Sequence, residues 1–81
     1  NGSTRATRYR PPSLEQIEAH METAGLIERE GFFAALCAAA RTAGDDLHTL
    51  CRAKTLLRRL AELDLCFDDR VGVVLMELEG G

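Results

Sequence analysis

The run from Asp46 to Leu63, DLHTLCRAKTLLRRLAEL, constrains this chain more than any other stretch. At roughly eighteen residues it is too long for an ordinary strand and long enough for an autonomous helical pattern. Leu50, Ala53, Leu57 and Leu60 recur at alternating steps of three and four, so a helix places them in one stripe. Leu47, Leu56, Ala61 and Leu63 widen that stripe beyond a coiled-coil seam, which calls for more than one packing neighbour. Arg52, Lys54, Arg58 and Arg59 occupy the remaining surface. Asp45 or Asp46, directly after Gly44, is placed to cap the start and complement the helix dipole.

Two helices are expected before it. Ser13 and Gln16 fit a capping box, and Pro11-Pro12 stops the helix from extending backwards. Leu14, Ile17, Met21 and Ala24 then form one stripe, with Glu15, Glu18 and Glu22 opposite and Gly25 as the stop. Leu26-Ile27 and the charged Glu28-Arg29-Glu30 make either a short helical turn or a loop whose apolar pair folds back onto the core. A second helix is expected from Phe32 to Ala43, where Phe33, Leu36, Cys37 and Ala40 share a face. Its near lack of charge before Arg41 points to a central position, buried on several sides.

The expected organisation is a flexible basic arm over 1–12 and a single helical domain over 13–79. The arm carries Arg5, Arg8 and Arg10 without an acid, whereas residues 13–81 hold seven basic and thirteen acidic side chains. A domain with that balance repels a phosphate backbone except at a local patch. Trp is absent and the aromatics are Tyr9, Phe32, Phe33 and Phe67, so the core must rest on Leu, Val, Ala and Met. Cys37, Cys51 and Cys66 are odd in number and form no C-x-x-C pair, which favours free thiols and a cytoplasmic location over a disulfide framework. The longest apolar stretch, Val71 to Met76, is too short to span a bilayer, so no membrane role is expected.

Residues 63–78 admit two readings. Asp68 or Asp69 can cap a last helix with Val71, Val74, Leu75 and Leu78 on one face. Alternatively Leu63, Leu65 and Phe67, then Val71, Val73 and Leu75, alternate as a β-hairpin turning at Asp68-Asp69-Arg70. The helix is preferred, because a lone two-stranded hairpin is marginal. The fold class expected is therefore an all-α bundle of three to four helices, the alternative being α+β with a C-terminal hairpin at 63–78.

Leu56, Leu57, Leu60 and Leu63, the break Leu65-Cys66-Phe67-Asp68, and then Val71, Val74, Leu75 and Leu78 follow a recognisable order. In this segment, 56–80, the chain resembles the C-terminal helices of MerR-type helix–turn–helix proteins, most nearly the CbpM family that modulates a DnaJ-like co-chaperone. The resemblance covers about a third of the chain. It implies a protein-binding regulator and brings no catalytic or ligand residue with it.

Candidate chemistry is sparse. His48 and Cys51 lie three apart on a helix, and Cys37 and His20 would have to join them to hold a metal, but no second close-spaced ligand pair exists. A thiol nucleophile at Cys51 lacks both an orienting third group and an oxyanion loop. Asp45-Asp46 and Asp68-Asp69 sit at helix starts, where capping accounts for them. The face Arg52, Arg58 and Arg59, with Lys54 nearby, is the best case for nucleic acid, although only Thr49 and Thr55 accompany it as base readers. Internal ion pairing or an acidic partner explains these cations more economically.

The leading expectation is a non-enzymatic interaction or regulatory module without cofactor or metal, self-associating as a homodimer or binding a protein partner. Its surface would be Leu56, Leu57, Leu63, Val74 and Leu78, with Arg52, Arg58 and Arg59 setting partner choice. The alternatives are a nucleic-acid-binding regulator using the arm and the third-helix arginines, and a small thiol- or metal-dependent enzyme at Cys51 and His48.

Overall fold

A computed structural model of the protein describes residues 11–80, and every regular element among them is helical. The order is α1 (Leu14–His20), α2 (Leu26–Thr42), α3 (Leu47–Leu63), a short 3-10 segment (Leu65–Phe67) and α4 (Asp68–Gly80). The expected all-α bundle is the fold. Helix α3 is its centre, packing against α1, α2 and α4 in turn. Residues 1–10, which carry the arm's arginines and Tyr9, lie outside the described residues.

Local chemistry sets the helix starts. The Ser13 hydroxyl accepts from the Gln16 amide at 3.2 Å, and the Ser13 amide donates to Gln16 Oε1 at 3.0 Å, closing the capping box at α1. Asp46 caps α3: it accepts from the Thr49 amide at 3.1 Å and from the Thr49 hydroxyl at 2.7 Å. Before it, Gly44 turns the chain at φ 60°, a left-handed conformation in which a side chain is strained.

Helix α2 begins six residues earlier than the Phe32 start expected from the sequence. The Glu28 carboxylate accepts from the Gly25 amide at 3.0 Å and anchors the first turn. Gly31 then sits in the helix interior rather than before it. Leu26 and Ile27 do not fold back onto the core: they ride on the first turn, 57% and 87% exposed. Nor is α2 buried on several sides. Leu36, Cys37 and Ala40 are buried, whereas Ala34 and Ala38 face outwards.

The segment 63–78 is helical, and the hairpin alternative falls. Val71 and Val74 are buried at helical spacing against α3, a packing that alternation would have broken. The cap differs from expectation: Asp64, not Asp68 or Asp69, takes the Cys66 amide at 3.2 Å to start the 3-10 turn that feeds directly into α4. The two later aspartates lie in the first turn of α4.

The core joins Ile17 from α1 and Met21 just after it, Leu36 from α2, Leu57 and Leu60 from α3, and Phe67, all 1% exposed or less. Arg29 ties three elements at its edge. Its Nε and Nη2 each donate to the Met21 carbonyl at 3.2 Å, closing the end of the first helical segment, while Nη1 lies 3.6 Å from Asp64. Leu47, expected in the buried stripe, is instead 72% exposed at the first turn of α3.

These placements fix the sign of two glycine substitutions. A Cβ on Gly31 meets nothing within 4 Å, so Gly31→Ala should raise the unfolding free energy by about 0.5–1 kcal/mol. Gly44→Ala should lower it, because of the positive φ. Leu57→Ala should cost about 2–5 kcal/mol through the cavity it leaves. Urea unfolding midpoints of the three variants check all three signs.

Candidate protein-interaction surface

The surface is organised by charge pairing between helices. Arg29 pairs with Asp64, Arg41 with Glu77 at 3.1 Å, Arg52 with Glu18 at 2.6 Å, and Arg59 with Glu22. Lys54 and Arg58 share Glu79, at 3.4 and 3.7 Å. Arg70 grips Glu30 with both nitrogens, at 3.0 and 3.1 Å, and lies 4.4 Å from the Phe33 ring centre and 5.1 Å from that of Phe67. Every basic side chain of the described residues is thus held by an acid from another part of the fold. Glu62, Asp68 and Asp69 take no part in these pairs, so the uncommitted charge among the described residues is negative.

The arginines singled out in the sequence, Arg52, Arg58 and Arg59, are therefore inter-helix braces. The leucine-rich set is placed differently from expectation. Leu56, Leu57 and Val74 are 6%, 0% and 6% exposed within the monomer, and Leu63 and Leu78 pack partly buried against the same core. Their apolar area is already spent on the fold, because α3 meets neighbours on more than one side. What remains outside is a different set: Leu26, Ile27 and Leu47 at the starts of α2 and α3, and Leu65, Val73 and Met76 around α4, the last three at 80%, 58% and 74% exposure. Val73 and Met76 are one turn apart on the outer face of α4, and Gly72 precedes Met76 by four residues on that face. Leu65, Gly72 and the half-buried Leu75 line a shallow groove of about 350 Å³ between α3 and α4, whose other walls include Arg58, Glu62 and Asp68. A second groove of about 280 Å³, lined by Leu47, Leu50, Cys51, Lys54 and Arg58, continues it along α3.

Periodicity in α4 already separates Val73 and Met76 from the buried Val71, Val74 and Leu78, so that signal was available in the sequence. Leu65 carried none, because its direction depends on the 3-10 turn.

Two of the three thiols are held in the protonated form. Cys37 is buried, and burial pushes its thiol above the ordinary range. Cys66 donates through sulfur to Asp64 Oδ1 at 2.8 Å, and that hydrogen bond holds its thiol up as well. Both stay protonated at neutral pH, the less nucleophilic form. Cys51 and His48 are exposed on the first turns of α3. Among the described residues no three of His, Cys, Asp and Glu gather closely enough to hold a metal ion, and no helix is long and apolar enough to cross a membrane.

Comparison of the chain with protein-family models, with curated proteins and with solved structures finds no match.

The aspartate caps make stability pH-dependent in a defined direction. Thr49 holds the Asp46 carboxyl below its ordinary value of 3.8, and Cys66, then Arg29, do the same for Asp64. Groups depressed in the folded state add stability above the ordinary value and lose it as pH falls through the depressed one. The urea midpoint should therefore hold steady down to about pH 5 and fall below about pH 4. In Asp46→Asn, which keeps the cap and removes the titration, the fall should be shallower.

Proposed function

We propose that this chain is a non-enzymatic protein-interaction module that self-associates through the outer face of α4 and the adjoining 3-10 turn. One observation carries the reading: of the large apolar side chains left exposed, Val73 and Met76 share the outer face of α4, one turn apart, and Leu65 lines the groove at the start of that helix. Scattered exposed apolar residues need no explanation, but two on one outer helix face, with a groove along the same helix, favour a binding surface. The pairing of the α3 cations supports this reading over a nucleic-acid one, since neutralised arginines release few counterions from a phosphate backbone. The resemblance of residues 56–80 to CbpM and MerR-type C-terminal helices supports the same direction, towards a regulator that acts by binding protein. Three free thiols fit a reducing, cytoplasmic setting.

An interface of ordinary size covers about 800 Å² on each copy, more than the three exposed side chains alone provide, so the groove walls must take part. Light scattering across a concentration series should give a dimer mass for the native chain. Met76→Asp should weaken the dimer at least about tenfold while leaving the thermal midpoint within about 2 °C, because Met76 supports no core contact. A native mass that stays monomeric at every concentration defeats self-association.

A further inference from the structure

The groove between α3 and α4 is lined by apolar and acidic side chains together. Leu65, Gly72 and Leu75 supply apolar surface, and Glu62 and Asp68 stand beside them without an ion-pair partner among the described residues. Arg58, the cation of this groove, is already engaged by Glu79 at 3.7 Å. Such a lining suits a segment that joins cations to an aromatic ring. Arginine forks onto carboxylates, and tyrosine buries its ring on apolar surface while keeping its hydroxyl in water. The chain contains a segment of that kind, Arg8-Tyr9-Arg10, in a stretch over 1–12 whose charged side chains are all arginine.

A copy's own segment does not reach its own groove. Glu18 and Glu22 meet Arg52 and Arg59 in that order, so α1 and α3 run parallel and α1 starts beside the start of α3. Glu62 lies towards the other end, about 20 Å along the bundle from Ser13 by helical rise. Tyr9 and Arg10 are within three residues of Pro12, a stretch that spans about 11 Å at most. Pro12 itself sits on the side of Gln16, His20 and Phe32, where it lines a different groove. The arm of a second copy is under no such limit.

We infer that the dimer is an arm exchange, in which Arg8, Tyr9 and Arg10 of each copy occupy the α3–α4 groove of its partner. The ring covers Leu65 and Leu75, and the guanidinium groups meet Glu62 and Asp68. This inference rests on the self-association proposed above and names what fills the groove. Two reciprocal arms close around a two-fold axis, so assembly stops at two copies. They also add contact area, which the exposed side chains of α4 lack against the roughly 800 Å² per copy of an ordinary interface.

The test uses the full chain. Tyr9 is its single tyrosine and Trp is absent, so tyrosine emission reports the arm alone. Acrylamide quenching of that emission should fall as the native dimer forms along a concentration series. Arg8→Glu/Arg10→Glu and Glu62→Lys/Asp68→Lys should each dimerise at least about tenfold more weakly than the native chain at low ionic strength. Mixed in equal amounts they should recover near-native affinity, because each arm then finds a groove of opposite charge on the other variant. Recovery also shows that both variants fold, and an arm bound within its own chain would not produce it. Quenching that stays constant while the dimer forms overturns the arm exchange. So does a mixture that fails to recover, or a dimer indifferent to both double variants, as expected if the arm settles on Glu15 or Asp45 of its own chain. A native dimer with any of these results keeps the self-association and discards the exchange. A native chain that never dimerises discards both.

Discussion

Each cation of the described domain is paired with an acid that lies more than twenty residues away in the chain, and this pairing ties the four helices into one arrangement. An exposed ion pair on its own is worth little, about 0–1 kcal/mol, so these contacts are not what keeps the protein folded. Their effect lies in selection. Arg52 and Arg59 on α3 meet Glu18 and Glu22 near α1, Lys54 and Arg58 meet Glu79 on α4, and Arg70 and Arg41 join α4 to α2. Sliding any helix by a turn along α3 would bring unlike partners apart and like charges together. In a bundle whose core is largely leucine, valine and alanine, apolar packing alone discriminates weakly between such registers. The charges supply part of the missing discrimination.

Arg70 is the pair with most behind it. Its fork closes on both oxygens of Glu30 while its flat face covers Phe33 and Phe67, whose ring centres are 5.8 Å apart. Those two rings, with Phe32, are all the aromatic area the domain has. The guanidinium thus roofs an aromatic pair that a larger core would have covered with another side chain. A lysine in its place would keep the charge but lose the fork and the stacking.

Much of this architecture was legible from residue order, for reasons that differ by element. The Ser13–Gln16 box and the Asp46 cap are local chemistry, decided within four residues, and both are present. The α3 stripe follows from period alone, and Ala53, Leu57 and Leu60 are buried as the period requires. The start of α2 was not legible, because Gly31 and the Glu-Arg-Glu run look like a break until Glu28 is seen holding the Gly25 amide. The interaction residues failed for a related reason. Period tells which side chains share a face but not how many neighbours that face meets, so Leu56, Leu57 and Val74 looked available and are not. The arginines were equally ambiguous, since an ion pair between residues 34 or 37 apart is invisible before the helices are set side by side.

Why Val73 and Met76 are left outside follows from the order of the helices. Helix α4 is last among the described elements, and α2 and α3 already take the flank carrying Val71, Val74 and Leu78. A helix with one flank on a bundle buries roughly the stripe at positions i, i+3 and i+7, and residues two and five places on from Val71 fall opposite it. Replacing Val73 and Met76 by Glu or Lys would satisfy the monomer fully, since neither supports a core contact and helix propensity would not suffer. Leaving them apolar costs solubility without adding to the fold. Such residues make physical sense on a face that the proposed self-association would cover, and Gly72 beside them would let another backbone approach closely, since it presents no side chain there.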